Sequence, residues 1–221
     1  MTPIEAYPLF PYYVFKGTID PTKYNKQAII DNLESNYRKN PYRNNWDKES
    51  NMHHSYKDWQ NPEFKHIPET PGLPELYQEF FENSFKQFTF STSSSFKFFI
   101  ANITGTKEGQ FMKKHHHNPA FYSAIHYVQL APEHSRTVFV NPASDEQNLT
   151  DYTMDLVRPK LHRQDLVNSS FFQTWCFNVE EDDILCFPSF LEHFIPDNPP
   201  TDTIRITLAL NVFLDGMPIS Q

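Results

Sequence analysis

The stretch FKFFIANI (residues 96–103) is dense in aromatic and β-branched side chains, and it predicts a β-strand. Downstream of it, short candidate strands are separated by turn residues, without a helical pattern between them. These candidates are residues 122–130, 137–141, 171–179, 184–187 and 203–213. A series of this kind predicts a mainly β protein, built as an antiparallel sandwich or barrel.

The sequence before this stretch is mixed. Residues 7–17 predict an extended strand at a sheet edge, because their prolines cannot donate hydrogen bonds inside a sheet. Apolar residues at helical spacing predict two helices, at residues 21–40 and 73–89. The polar residues 40–70 between them show no steady period and predict a long loop.

Length and charge limit the class of protein. With 221 residues, we expect one domain over residues 1–221, with a supporting N-terminal part (1–94) and a β core (95–215). A net charge of −8 makes nucleic acid an improbable partner, because phosphate binding depends on cationic contacts. No apolar run approaches a membrane span, and we expect a cytoplasmic protein. Cys176 and Cys186 both have apolar neighbours, which predicts two buried, reduced thiols.

A histidine triplet supplies the candidate metal site. His115 and His117 are two residues apart, so on an extended segment their side chains point to one face. His193 follows a Phe-Pro-Ser turn far downstream, and it can close a three-imidazole site that leaves coordination positions open. The alternative is that the triplet is a solvated loop without a ligand role.

The segments around these histidines resemble the Fe(II)/2-oxoglutarate-dependent oxygenases. ILCFPSFLEH (residues 184–193) and RITLALN (residues 205–211) are similar to the closing half of their double-stranded β-helix, a jelly-roll or cupin-like fold. HHHNPAFYSAIHY (residues 115–127) resembles the family segment in which His-x-His-Pro-Asn leads into Ser-Gly-Val-Tyr-Tyr. Ala124 stands where that family has glycine, and His126 replaces its first tyrosine.

The resemblance implies a cofactor, a co-substrate and a reaction. Fe(II) would be held by His115, His117 and His193, and the protein would act on 2-oxoglutarate and O2 as a hydroxylase that releases succinate and CO2. The superfamily commonly uses two histidines and a carboxylate, but no carboxylate follows His115 at the second position. Either His117 takes its place, or water or an anion completes the site.

Arg205 is the candidate residue for binding 2-oxoglutarate. It shares one strand face with Thr207, Ala209 and Asn211, and a charge that faces a barrel interior needs a partner. A planar guanidinium suits the distal carboxylate of 2-oxoglutarate. The phenol of Tyr127 is a second candidate donor to that carboxylate.

Several other residues were assigned weaker roles. Asn102 is a candidate polar contact near the iron, and His126 is expected in the core. The remaining histidines are expected in loops, and two tryptophans are expected to pack against the barrel: His53, His54, His66, His134 and His162, with Trp46 and Trp59. Residues 143–168 predict either a lid or a surface excursion.

Two alternative functions and two open points remain. The protein is otherwise a three-histidine dioxygenase that does not use 2-oxoglutarate, or a non-catalytic metal-binding β-barrel. The primary substrate, whether a protein side chain or a small molecule, and the oligomeric state are left open by the sequence.

Overall fold

The computed structural model describes residues 12–44, 47–56, 68–88, 95–143 and 156–215. These ranges contain two complete α-helices, α1 (Lys26–Lys39) and α2 (Leu73–Phe85), and ten strands. The strands are β1 (Phe15–Thr18), β2 (His53–Tyr56), β3 (Phe96–Thr106), β4 (Met112–His115), β5 (Tyr122–Gln129), β6 (Val138–Val140), β7 (Thr174–Cys176), β8 (Asp183–Pro188), β9 (His193–Ile195) and β10 (Arg205–Leu214). Short 3-10 helices occupy Pro21–Lys23, Arg158–Lys160 and Leu166–Phe171.

The strands form two antiparallel sheets. The major sheet has the order β1-β8-β5-β10-β3-β2, and the minor sheet has the order β4-β9-β6-β7. From β3 to β10 the chain changes sheet at every connection except that between β6 and β7. This course, in which consecutive strands wind back and forth between two facing layers, is the double-stranded β-helix, and it confirms the predicted fold class.

The helices cover the outer face of the major sheet. The asparagine Asn25 caps α1, its side chain accepting from the N–H of Ala28, and Pro41 follows directly after the end of the helix. Ile29 and Leu33, one helical turn apart, are buried against the sheet, as their spacing predicts. The buried side of α2 includes Leu73, Tyr77, Phe81, Ser84 and Phe85.

Successive side chains of β5 and β10 point to opposite faces of the major sheet, and each face borders a separate apolar core. Ala124 and Val128 of β5 and Leu208 and Leu210 of β10 belong to the outer core beneath the helices. The alternate side chains of β5, Ile125 and Tyr127, point to the space between the sheets, where they join a second apolar cluster. The other members of that cluster are Ile125, Leu130, Phe139, Val179, Leu185, Phe187 and Leu191. The part of this space that the cluster does not fill is the cavity described below.

Four of the expectations about local structure need correction. The predicted loop over residues 40–70 contains β2, which lies at the edge of the major sheet. Strands β4 and β9 lie outside the predicted strands, and both are too short to show a period. Of the predicted strand over residues 171–179, only β7 (Thr174–Cys176) is a strand, and Phe171 ends a 3-10 helix (Leu166–Phe171). Both cysteines are free thiols, but Cys176 is exposed and only Cys186 is buried.

Other expectations are confirmed or fall outside the described residues. β1 lies at the edge of the major sheet, as predicted, whereas residues 7–11 lie outside the described part of the chain. The same holds for residues 144–155 of the candidate lid. Within the described residues, the longest apolar helical segments are too short or too polar to cross a membrane. The cytoplasmic location stays a prediction.

His126 is buried between the helices and the major sheet, as predicted for a core histidine. Its side chain is fully buried, and its Nδ1 lies 2.7 Å from the hydroxyl of Tyr77 on α2. Burial, with a smaller contribution from the Lys26 cation, lowers the pKa of His126 to about 3. The imidazole is therefore neutral in the folded protein, whereas in the unfolded chain it binds a proton near its ordinary value.

We expect this histidine to make the fold sensitive to acid. Because the folded-state pKa is depressed, its contribution is complete above about pH 6.5 and is lost as the pH falls towards 3. At about pH 5 the loss from this residue alone is about 2 kcal/mol. Urea unfolding at about pH 7.5 and pH 5 measures it. The variant His126→Phe should lose less stability between the two conditions, and an equal loss in both proteins would contradict this origin.

Candidate metal centre

Two short strands of the minor sheet bring the histidines together. His115 ends β4 and His193 begins β9, and the two residues are direct cross-strand partners. His117 lies two residues beyond β4, where its backbone N–H donates to the carbonyl of Ser189 at 2.8 Å. One ligand atom from each imidazole lies within 4.8 Å of those of the other two. The three side chains predicted to share a cation are therefore neighbours.

Hydrogen bonds select one nitrogen in two of the three imidazole rings. Nδ1 of His115 lies 2.9 Å from the carbonyl of Lys113, and Nδ1 of His193 lies 3.0 Å from that of Leu191. Nε2 of His117 is buried and has no hydrogen-bond partner among the described residues, so it is available to a cation. Carbonyl acceptors on Nδ1 place the ring proton there, which leaves the lone pair on Nε2.

Burial keeps this cluster neutral. It lowers the pKa of His115 and of His193, and lowers the pKa of His117 to about 3. The ring of His115 also lowers the pKa of His117 and of His193, and the ring of His117 lowers the pKa of His193, because adjacent imidazolium ions would repel each other. Neutral imidazole is the ligand form for a borderline divalent cation, so this donor set fits iron. Among the described residues, no carboxylate joins the cluster.

The imidazoles lie at a cavity of about 500 Å³ between the two sheets. The inner face of β10 lines this cavity with Arg205, Thr207, Ala209, Asn211 and Phe213, in the alternation that its sequence predicts. The other lining residues are His54, Phe99, Ala101, Asn102, Thr104, Met112, the three histidines of residues 115–117, Asn118, Pro119, Ile125, Thr137, His193 and Ile195. The cavity thus joins the histidine cluster to Arg205.

Arg205 is fully buried and only partly hydrogen-bonded. Its Nε donates to the carbonyl of Ser135 at 2.9 Å, and its Nη2 donates to Oγ1 of Thr137 at 3.3 Å. The buried Nη1 has no partner among the described residues. Burial lowers the pKa of Arg205 to about 10, so the side chain remains charged at neutral pH. A buried cation with an unused donor fits an anionic group in the cavity.

Thr137 connects Arg205 to Tyr127. The phenol of Tyr127 donates to Oγ1 of Thr137 at 2.9 Å, and its ring lies under the guanidinium of Arg205 at 5.4 Å. Oγ1 of Thr137 thus accepts two hydrogen bonds, which uses both of its lone pairs and leaves its own proton to donate elsewhere. Thr137 lines the cavity, whereas Tyr127 is not among the lining residues. The phenol is therefore one residue further from the cavity than the sequence led us to expect.

The remaining histidines lie in varied environments. His53 and His54 are buried on β2, so their assignment to a loop is wrong, and His54 also lines the cavity. His134 is buried in a turn, where its Nδ1 accepts from the N–H of Ala131, and His162 is exposed in a loop. His66, Trp46 and Trp59 lie outside the described residues.

Two residues at the cavity were missed for identifiable reasons. His54 reaches it only because β2 pairs with β3, which lies beyond α2 in the chain, and four residues are too few for a periodic signal. Thr137 directly precedes the three-residue strand β6, and its sequence neighbours form no motif that indicates a binding role. A threonine beside an arginine from a distant strand has no local signature.

The comparisons with known proteins concern the β core and the fold. Residues 102–211 match the family model described as "Putative 2OG-Fe(II) oxygenase". Among curated proteins, none matches the chain in sequence. Similar solved structures include HygX from Streptomyces hygroscopicus with nickel and 2-oxoglutarate bound, at 13% identity and a TM-score of 0.52, with 95% of this chain and 85% of that chain covered.

Two other similar solved structures have TM-scores of 0.52 and 0.38. The carbocyclase SnoK from nogalamycin biosynthesis, described as non-heme and alpha ketoglutarate dependent, shares 14% identity at a TM-score of 0.52, over 92% of this chain and 79% of that chain. An oxidoreductase of the 2OG-Fe(II) oxygenase family from Burkholderia pseudomallei shares 12% identity at a TM-score of 0.38, over 66% of this chain, which spans 61% of that chain. At these identities, the likeness to HygX and to SnoK shows a shared fold. With the family match and the cluster that fits its metal, residues 102–211 of this chain belong to the 2-oxoglutarate/Fe(II) oxygenase family, whose cofactor is Fe(II) and whose co-substrates are 2-oxoglutarate and O2.

Proposed function

We propose that this protein hydroxylates a protein side chain or a small molecule, with His115, His117 and His193 as the iron ligands and Arg205 as the residue that binds 2-oxoglutarate. One observation carries the proposal: three converging neutral imidazoles and a buried arginine with an unused donor line the same cavity. Bound Fe(II) supplies, with 2-oxoglutarate and O2, an oxidation that yields succinate, CO2 and a hydroxylated product.

The residues around Arg205 support its role as a carboxylate-binding group. Its Nη1 and the hydroxyl proton of Thr137 are two donors on the cavity wall, and together they suit the two oxygens of one carboxylate. Ser135 and the ring of Tyr127 hold the guanidinium in place. We therefore assign Thr137 as a residue that contacts the distal carboxylate. Tyr127 holds the two donors, Arg205 and Thr137, in position.

The histidine set has an electrostatic consequence. With three neutral ligands and no carboxylate of the described residues in the cluster, the charge of a bound Fe(II) would not be reduced by a carboxylate ligand. The 2-oxo acid end of 2-oxoglutarate brings a negative charge to that cation while its distal carboxylate pairs with Arg205. Both ends of the dianion thus find a positive partner in the cavity, which favours 2-oxoglutarate over neutral oxo compounds.

Turnover of labelled 2-oxoglutarate tests this proposal. Iron-loaded protein incubated with the labelled compound and O2 is expected to release succinate and CO2 slowly even without a primary substrate, and Arg205→Ala is expected to remove most of that release. If the native protein retains iron and 2-oxoglutarate is not consumed, the three-histidine dioxygenase that does not use 2-oxoglutarate becomes the better explanation.

The second ligand position can be tested by converting it to the commoner ligand type. We expect His117→Asp to retain iron, because a carboxylate there restores the set of two histidines and one carboxylate. His117→Leu should lose iron and serves as the matched control. Iron content after desalting, measured by elemental analysis, checks both. Equal iron in His117→Leu and native protein would show that His117 is not a ligand.

A further inference from the structure

A β-bulge shapes the wall of the cavity opposite the minor sheet. The register between β3 and β10 shifts between Ala209 and Leu210, which leaves Ala101 as the additional residue on β3. As a result the consecutive residues Ala101 and Asn102 both line the cavity, although neighbours on a regular strand face opposite sides. The bulge therefore turns Asn102 towards the space between the sheets.

The amide of Asn102 is oriented by its neighbour. The hydroxyl of Thr104 donates to Oδ1 of Asn102 at 3.1 Å, and the whole asparagine is only 7% exposed. With Oδ1 occupied by that donor, Nδ2 carries the two N–H groups that remain available to a molecule in the cavity. Asn102 thus presents a fixed donor, and it belongs neither to the histidine cluster nor to the surroundings of Arg205.

The rest of the wall is polar without charge, or apolar. His54 of β2, the cross-strand partner of Thr104, lines the same cavity, and Ala209 is the cross-strand partner of Asn102 on β10. Further out, the rings of Phe99 and Phe213 are stacked at 5.6 Å, with 13° between their planes. Among the described residues that line the cavity, Arg205 is the one lysine, arginine, aspartate or glutamate.

We propose that the cavity admits the reacting part of the primary substrate as an uncharged group, whose carbonyl or hydroxyl oxygen accepts a hydrogen bond from Nδ2 of Asn102. This inference rests on the proposed function, which pairs Arg205 with the co-substrate. A carboxylate, phosphate or ammonium group of a primary substrate that entered after 2-oxoglutarate would lose its hydration without gaining a partner of opposite charge. An amide or hydroxyl group meets a matching donor, and its carbon chain lies against Phe99, Ala101 and Phe213.

A matched pair of fragments tests this inference without turnover. Zn(II)-loaded protein is first titrated with 2-oxoglutarate, and the saturated complex is then titrated by NMR with isobutyramide and, separately, with isobutyrate. The two fragments have nearly the same shape and differ in charge. We expect isobutyramide to bind at least about tenfold more tightly than isobutyrate. Binding of isobutyrate as tightly as the amide, or of neither fragment, overturns the inference.

Reversing the chemistry of one side chain gives a second test. Asn102→Asp keeps the size of the residue but replaces the donor with an anion. The variant should therefore bind isobutyramide more weakly, and isobutylammonium more tightly, than the native protein does. Asn83→Asp, at an exposed position of α2, adds the same charge outside the cavity and should change neither Kd. Unchanged preferences in Asn102→Asp would refute the role of Asn102.

The two proposals fail in different steps of this experiment. If 2-oxoglutarate does not bind the metal-loaded native protein in the first titration, the proposed function is wrong. If 2-oxoglutarate binds and the charged fragment is preferred in the second titration, the proposed function stands and the uncharged substrate class is wrong.

Discussion

Replacement of His193 by alanine is expected to abolish iron retention and, with it, all turnover of 2-oxoglutarate. His193 is buried at the centre of the site, with its ring 4.3 Å from that of His115 and 5.1 Å from that of His117, measured between centroids. Removing one of three ligands leaves two nitrogens, and no carboxylate of the described residues stands close enough to replace the third. Iron content after desalting and succinate release measure the two effects.

The triplet itself provides a control for this experiment. His116 lies between two of the proposed ligands in sequence, but its side chain is exposed and outside the cluster. We expect His116→Ala to retain iron at the native level. Circular dichroism of the apo-proteins separates ligand loss from unfolding. Native iron content in a folded His193→Ala variant would exclude this site.

Replacement of Arg205 by alanine should have the second largest effect, on 2-oxoglutarate rather than on iron. Truncating one partner of a buried, hydrogen-bonded charge pair costs about 2–5 kcal/mol, which corresponds to a rise of at least about 30-fold in the KM for 2-oxoglutarate. The iron content should be unchanged, because Arg205 is not part of the histidine cluster. Succinate release over a range of 2-oxoglutarate concentrations gives the KM.

Two related variants separate charge from geometry. Arg205→Lys keeps the charge but loses the planar donor group, so its KM should lie between those of the native protein and Arg205→Ala. Thr137→Val keeps the shape and removes the hydroxyl, which takes away one donor to the carboxylate and the acceptor of Tyr127. Its KM should rise by less than that of Arg205→Ala. An unchanged KM in Arg205→Ala would place the co-substrate elsewhere.

The parts of the site that lie on long or distinctive segments were predictable from the sequence. Alternation along β10 is visible in residues 205–211 and gave the cavity-facing side of that strand. The spacing of His115 and His117, with the segment before His193, gave the three imidazoles that the structure brings together. The two helices followed from apolar spacing, since both bury one stripe against the major sheet.

The residues that were missed depend on pairings between distant segments. His54 lies on a four-residue strand whose place is fixed by its pairing with β3. Asn102 was a weak candidate, and its orientation comes from a bulge that only the register with β10 reveals. Thr137 acquires its role from Arg205 and Tyr127, neither of which is near it in the sheet order. Local sequence patterns carry no information about such long-range register.

The two groups that we propose as positive partners of 2-oxoglutarate, the iron held by the imidazoles and the guanidinium of Arg205, would lie in different layers of the protein. The imidazoles come from β4 and β9 and the segment after β4, whereas the guanidinium comes from β10 of the opposite layer. A dianion held at both ends would therefore link the two layers and oppose their separation. Bound 2-oxoglutarate would stabilise the barrel, and its conversion to succinate and CO2 would remove that link between the layers.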